Sequence, residues 1–80
     1  MPSTTLNPQH YQTKIKVGNA NIRLTNQSDN DRASVSINNG VAIIIRPFPN
    51  NRVIHQAVAN ATYTITYNTM LGNPDVLVEW

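Results

Sequence analysis

Any catalytic or metal chemistry in this chain would have to be built from four acids, two histidines and a few hydroxyls, because it has no cysteine. The acids are Asp29, Asp31, Asp75 and Glu79. A hydrolytic carboxylate pair needs two of them held several ångströms apart. Asp29 and Asp31 are close in sequence but sit in an all-polar stretch, where solvation is their ordinary role. Their i, i+2 spacing matches the start of a calcium loop. The continuation does not, since position 33 is alanine, no glycine stands at the sharp turn and no glutamate closes the loop. His10 and His55 are two imidazoles without thiolates and with few carboxylates, a poor set for zinc. The glycines stand alone at 18, 40 and 72, so no nucleophile elbow, Walker loop or dinucleotide fingerprint can be written. These absences lead us to expect no enzyme, no metal and no cofactor.

Binding chemistry is better supplied. Lys14, Lys16 and Arg23 are the cations of residues 1–28, which contain no acid. If residues 11–25 form a hairpin about Gly18-Asn19, Lys14 falls opposite Arg23 and the three make a basic stripe. Three cations would touch about three phosphates, a weak footprint. The aromatics that could stack bases (Tyr11, Tyr63, Tyr67 and Trp80) fall on apolar faces instead. Nucleic acid therefore ranks last among the partners considered. Arg46-Pro47-Phe48-Pro49 presents an aromatic between two prolines, an arrangement that lowers the entropy cost of docking. Arg46, Phe48, Arg52 and the terminal Trp80 are the interface candidates. Twelve asparagines could serve glycan recognition, which uses amides beside aromatic rings, or could simply be turn residues. Asn26-Gln27-Ser28 and Asn60-Ala61-Thr62 match the glycosylation acceptor pattern, as chance allows in so Asn- and Thr-rich a chain.

The elements that would position these residues are strands. The chain has 80 residues, 12% charged residues and a formal charge of +2. It is rich in Ile, Val and Thr, which favour extended backbone. Such a length allows one small domain with a thin stability margin. Residues 1–10 have no periodicity and read as an extended or flexible arm, with a single domain over 11–80. Residues 11–17 and 20–25 alternate, and a Gly18-Asn19 turn would pair Ile15 with Ile22. Ala33, Val35 and Ile37 alternate before Asn38-Asn39-Gly40. A three-residue loop with Gly40 in the left-handed region would pair Ala33 with Ile45, Val35 with Ile43 and Ile37 with Val41. Residues 46–52 read as a rigid turn, and 53–58 as an ambiguous strand. Residues 61–68 form the clearest strand, with Tyr63, Ile65 and Tyr67 on one face. Gly72-Asn73-Pro74 marks another turn, and Val76, Val78 and Trp80 share the inner face of a last strand.

About seven short strands with frequent turns predict an all-β antiparallel sandwich, Ig-like or jelly-roll-like. No stretch approaches the length of a membrane-spanning helix, and no export signal is visible at the start, so the expected location is the cytoplasm or a virion or particle surface. The composition suits a non-enzymatic structural or interaction protein. Its form would be a self-assembling or scaffold-binding β module, such as a small capsid or decoration component of a virion, with a homo-oligomer expected. A carbohydrate-binding module is the alternative, and a weak nucleic-acid binder comes after it.

Overall fold

The computed structural model describes residues 2–18, 21–68 and 71–80. Among them are eight strands in two antiparallel sheets and no helix. The strands are β1 (Ser3–Leu6), β2 (Gln12–Lys16), β3 (Asn21–Asn26), β4 (Ala33–Ile37), β5 (Ile43–Ile45), β6 (Arg52–Gln56), β7 (Thr62–Asn68) and β8 (Val76–Glu79). One sheet has the order β1-β8-β3-β6 and the other β2-β7-β4-β5. Each alternating strand puts its apolar residues on one face. Leu6, Ile22, Leu24, Val76 and Val78 of the first sheet join Ile15, Val35, Ile37, Ile45, Ile65 and Tyr67 of the second in one buried cluster. Apart from Ile44, the outer face of the second sheet is polar. There Gln12 Nε2 donates to Thr66 Oγ1, and Asn68 Nδ2 reaches both Ser34 Oγ and Ser36 Oγ at 3.1 Å.

The pairing has a simple order: β4 with β5, β3 with β6, β2 with β7 and β1 with β8. Ala33 pairs with Ile45 and Gln12 with Thr66, and both pairs are centred on Asn39. The chain thus runs as one long two-stranded ribbon, folded so that successive stretches enter opposite sheets. The additional pairings β3·β8 and β4·β7 close each sheet.

Four expectations change. The strands number eight, not about seven. The extra one lies in residues 1–10, where Ser3–Leu6 pairs with β8 of the same chain and buries Leu6. Asn7 then turns the chain, its Oδ1 accepting from the Gln9 and His10 amides at 3.0 and 2.8 Å. Residues 11–25 do not form a hairpin: β2 pairs with β7, and β3 with β6 and β8. Alternation decides which side chains face inward, and Ile15, Val17, Ile22 and Leu24 are indeed buried. It says nothing about which neighbour supplies the hydrogen bonds. Of the expected Gly18-Asn19 turn, Asn19 lies outside the described residues, as does Ala20 after it. Finally, the β4–β5 register holds at Ala33–Ile45 and Val35–Ile43, but the left-handed residues are Asn38 (φ 53°) and Asn39 (φ 58°) rather than Gly40. Gly40 N donates to Ile37 O at 3.0 Å, closing a turn with two positive-φ asparagines, which tolerate that region. Ile37 does not pair with Val41, which is solvent-exposed.

Candidate functional site

Three connections meet at one end of the molecule: residues 27–32 (β3–β4), 46–51 (β5–β6) and 71–75, the described part of β7–β8. The residue that joins the first two is Asn26, the last of β3 and fully buried. Its Nδ2 donates to Asp31 O at 2.7 Å and to Ile45 O at 3.0 Å, and its Oδ1 accepts from Ser28 N at 2.9 Å. Its backbone is held too, since Asn26 N donates to Asn51 O and Asn51 Nδ2 donates to Asn26 O, both at 2.8 Å. A buried amide is tolerated only when its hydrogen-bonding groups are met, and here they are. In the sequence Asn26 stands out only as part of a glycosylation acceptor match. Its burial makes it a poor glycan acceptor.

Ser28 organises the next turn, its Oγ accepting from Asp31 N at 3.0 Å and from Asn30 N at 3.2 Å. Ser28 O accepts from Phe48 N at 3.0 Å, and Gln27 N donates to Asp75 O at 2.9 Å, which ties the three connections together. Gly72 has φ +83° and lies against the Asp31 carboxylate so closely that a Cβ would collide with it.

These loops frame an open cleft of about 660 Å³ lined by Asn30, Asp31, Arg32, Arg46, Pro47 and Asn50, with the exposed Leu71 at its margin. Small-molecule sites are commonly about 300–1,000 Å³. Arg32 and Arg46 stand one step beyond the last register pair of β4 and β5, Ala33 with Ile45. They bring two like charges to one cleft, a placement that costs stability unless something answers it. Among the described residues, neither guanidinium has a hydrogen bond or ion pair.

The interface candidates divide. Arg46, Phe48 and Arg52 fall on or between the edge strands β5 and β6, and Phe48 is 65% exposed. It does not cap the core. Trp80 instead packs, partly buried, against the core, and its amide donates to Pro2 O at 3.1 Å. The basic stripe is split: Lys14 and Lys16 lie on β2, the edge of the second sheet, and Arg23 on β3 in the first, beside Glu79 and Ile54. The hairpin that would have aligned them does not form. Like charges on an edge strand discourage unwanted pairing, which accounts for Lys14 and Lys16.

The histidines are far apart in their settings. His10 Nδ1 lies 3.0 Å from Thr5 O, and the His55 ring meets Tyr63 edge-to-face at 6.4 Å. Among the described residues, no three His, Asp or Glu side chains gather as a metal site would require. Also among them, no helix is long and apolar enough to cross a membrane. Burial raises the pKa of the Tyr67 hydroxyl above its usual value, and the Asp75 charge adds to the shift. Among the described residues, that hydroxyl has no hydrogen-bond partner.

Asn30, Arg32 and Asn50 escape sequence reading as site residues because nothing local brings 27–32 to 46–51. The β4–β5 pairing does, at the end of the hairpin away from its turn. Comparison with protein-family models, with curated proteins and with solved structures gives no match for this chain.

Proposed function

We propose that this protein is a non-enzymatic structural module, a compact jelly-roll sandwich that assembles with copies of itself, as a small capsid or decoration component of a virion would. A two-sheet fold of eight strands with this interleaved order matches jelly-roll connectivity, and that architecture recurs in capsid and lectin domains. This is analogy at the level of fold and does not by itself assign a role.

The observation that carries the reading is the flank formed by β5, residues 46–51 and β6. Both strands are sheet edges, so among the described residues one side of each backbone has no neighbouring strand. Ile44 (48% exposed), Phe48 (65%) and Ile54 (49%) all project from this segment. Exposed edges are usually guarded by charge, as Lys14 and Lys16 guard β2. In contrast, β5 is three isoleucines with no charge at all. An apolar, unguarded edge beside a second edge suits pairing with the same surface of another copy, since a two-fold contact is self-complementary.

Light scattering on the full chain tests this. The protein should form a defined oligomer that Ile44→Lys combined with Ile54→Lys converts to monomer, with the far-ultraviolet dichroism unchanged. A wild-type monomer up to millimolar concentration would overturn self-assembly, as would an oligomer indifferent to both substitutions. Removing residues 1–10 is not a clean test, because it deletes β1 and the burial of Leu6. A carbohydrate-binding role is favoured by a separate observation, the loop-end cleft.

A further inference from the structure

We propose that the cleft between residues 30–32 and 46–50 binds the carboxylate of an acidic sugar, of the uronic or sialic acid type. Arg32 and Arg46 flank the Ala33–Ile45 pair and both line the cleft, and among the described residues neither guanidinium is held in an ion pair. Two adjacent guanidiniums are costly when empty and form a planar, multi-donor seat when a carboxylate lies between them. The cost of holding them together is then offset by the ligand, as expected of a site organised in advance for an anion.

The other residues of the cleft narrow the class of anion. Asp31 lines the same space, so the local charge is only one positive unit. A dianionic phosphate would gain from two arginines but be repelled by Asp31. A singly charged carboxylate carried on a polyhydroxylated ring avoids most of that repulsion, and its hydroxyls can donate to the Asp31 carboxylate. Asn30 and Asn50 supply amides that both donate and accept, as sugar hydroxyls require. Pro47 and the exposed Leu71 offer apolar surface for the C–H face of a ring. Rigidity comes from below. Asn26 pins Asp31 O and Ile45 O, and Ser28 Oγ accepts from the Asn30 and Asp31 amides, so both walls are held without the ligand.

A single site of this size would bind weakly, and an assembly would multiply it by presenting several copies to one glycan surface. The cleft shares Arg46, Pro47 and Asn50 with the β5–β6 flank, whereas Asn30, Asp31 and Arg32 lie outside it.

The test is titration of the full-length protein, followed by amide chemical shifts, with glucuronic acid and N-acetylneuraminic acid. Glucose, acetate and inorganic phosphate are the comparison probes. The acidic sugars should bind at least tenfold more tightly than glucose, acetate or phosphate, with shifts centred on residues 30–32 and 46–50. Arg32→Ala and, separately, Arg46→Gln should each weaken the acidic sugars at least tenfold and leave glucose unchanged. Both variants should melt at or above the wild-type temperature, because each removes one of two like charges in the cleft. Equal binding of glucose and glucuronic acid would overturn the proposal, as would acetate or phosphate matching the acidic sugars, or no effect of either substitution. Light scattering on Arg32→Ala, expected to give the wild-type mass, keeps this outcome separate from the fate of the assembly reading.

Discussion

Replacing Asn26 with alanine should remove the largest share of stability obtainable from any single polar side chain in the loop end. The side chain is fully buried and makes three hydrogen bonds, to Asp31 O, Ile45 O and Ser28 N. Each is worth about 1 kcal/mol net, and a partner left buried and unpaired costs about 1–3 kcal/mol. The Asp31 and Ser28 groups are part-buried and can regain water, whereas the Ile45 carbonyl bond is buried. The expected loss is about 3–5 kcal/mol. An 80-residue domain has roughly 4–12 kcal/mol in total, so the loss runs from about a quarter of that stability to all of it. Its melting temperature should fall by about 15–30 °C. The measurement is equilibrium urea unfolding at one fixed protein concentration, since assembly would couple stability to mass action. Asn68→Ala is the control: that amide also makes two hydrogen bonds, but on the part-buried outer face to Ser34 and Ser36, and should cost under about 1 kcal/mol. Asn26→Asp should be no better than alanine at neutral pH, because its second oxygen would face two carbonyl oxygens. If Asn26→Ala costs no more than Asn68→Ala, the claim that this amide holds the loop end together is wrong.

Two further outcomes follow from the same region. Gly72→Ala forces a side chain into φ +83° and onto the Asp31 carboxylate, and should cost more than 2 kcal/mol in urea unfolding; in an Asp31→Ala background the cost should drop to about 1 kcal/mol, the backbone term alone. Tyr67 has its pKa raised by burial and by Asp75, so the unfolded chain releases this proton first as pH climbs above about 10. Its contribution is intact below that pH and is lost as pH rises through the folded-state value. Tyr67→Phe should therefore gain stability relative to wild type between pH 8 and 11 in parallel denaturation curves, and a constant difference across that range would refute the assignment.

The sequence made the inward faces readable and left the neighbours unreadable. Ile15, Ile22, Leu24, Val35, Ile65, Val76 and Val78 all face the core as alternation requires. The β4–β5 register was also legible, because a short turn leaves few ways to set Ala33 against Ile45. Gly18-Asn19 misled because a good turn signal was taken to mean that the strands on either side pair with each other. Here the chain passes from one sheet to the other at that place. Asn26 was legible only as part of a glycosylation acceptor match. Its burial depends on Asp31 O, Ile45 O and Asn51, which arrive from two other stretches of chain. The proximity of Arg32 and Arg46 was implicit in the Ala33–Ile45 register one step further out. That inference needed only the turn at Asn38-Asn39, which the pattern does reveal.

The same turn organises more than its own hairpin. Ala33 and Ile45 are each six residues from Asn39, and Gln12 and Thr66 are equally distant from it. Pairing that starts at Asn38-Asn39 can therefore run outward through β3·β6 and β2·β7 with only small register changes. Non-local strand contacts are slow to form because loop closure is unfavourable until contacts offset it. A ribbon that zips from one turn avoids that by making each new pair local to the last. This order also decides where function can lie. The two ends of the ribbon, β1 and β8, close on each other and are committed to the first sheet. The segment just after the turn, β5 to β6, is left as edge and loop. That is where the unguarded isoleucines, the exposed Phe48 and one of the two cleft arginines lie, so the surface proposed for partners and the cleft proposed for sugar both follow from where the chain turns back.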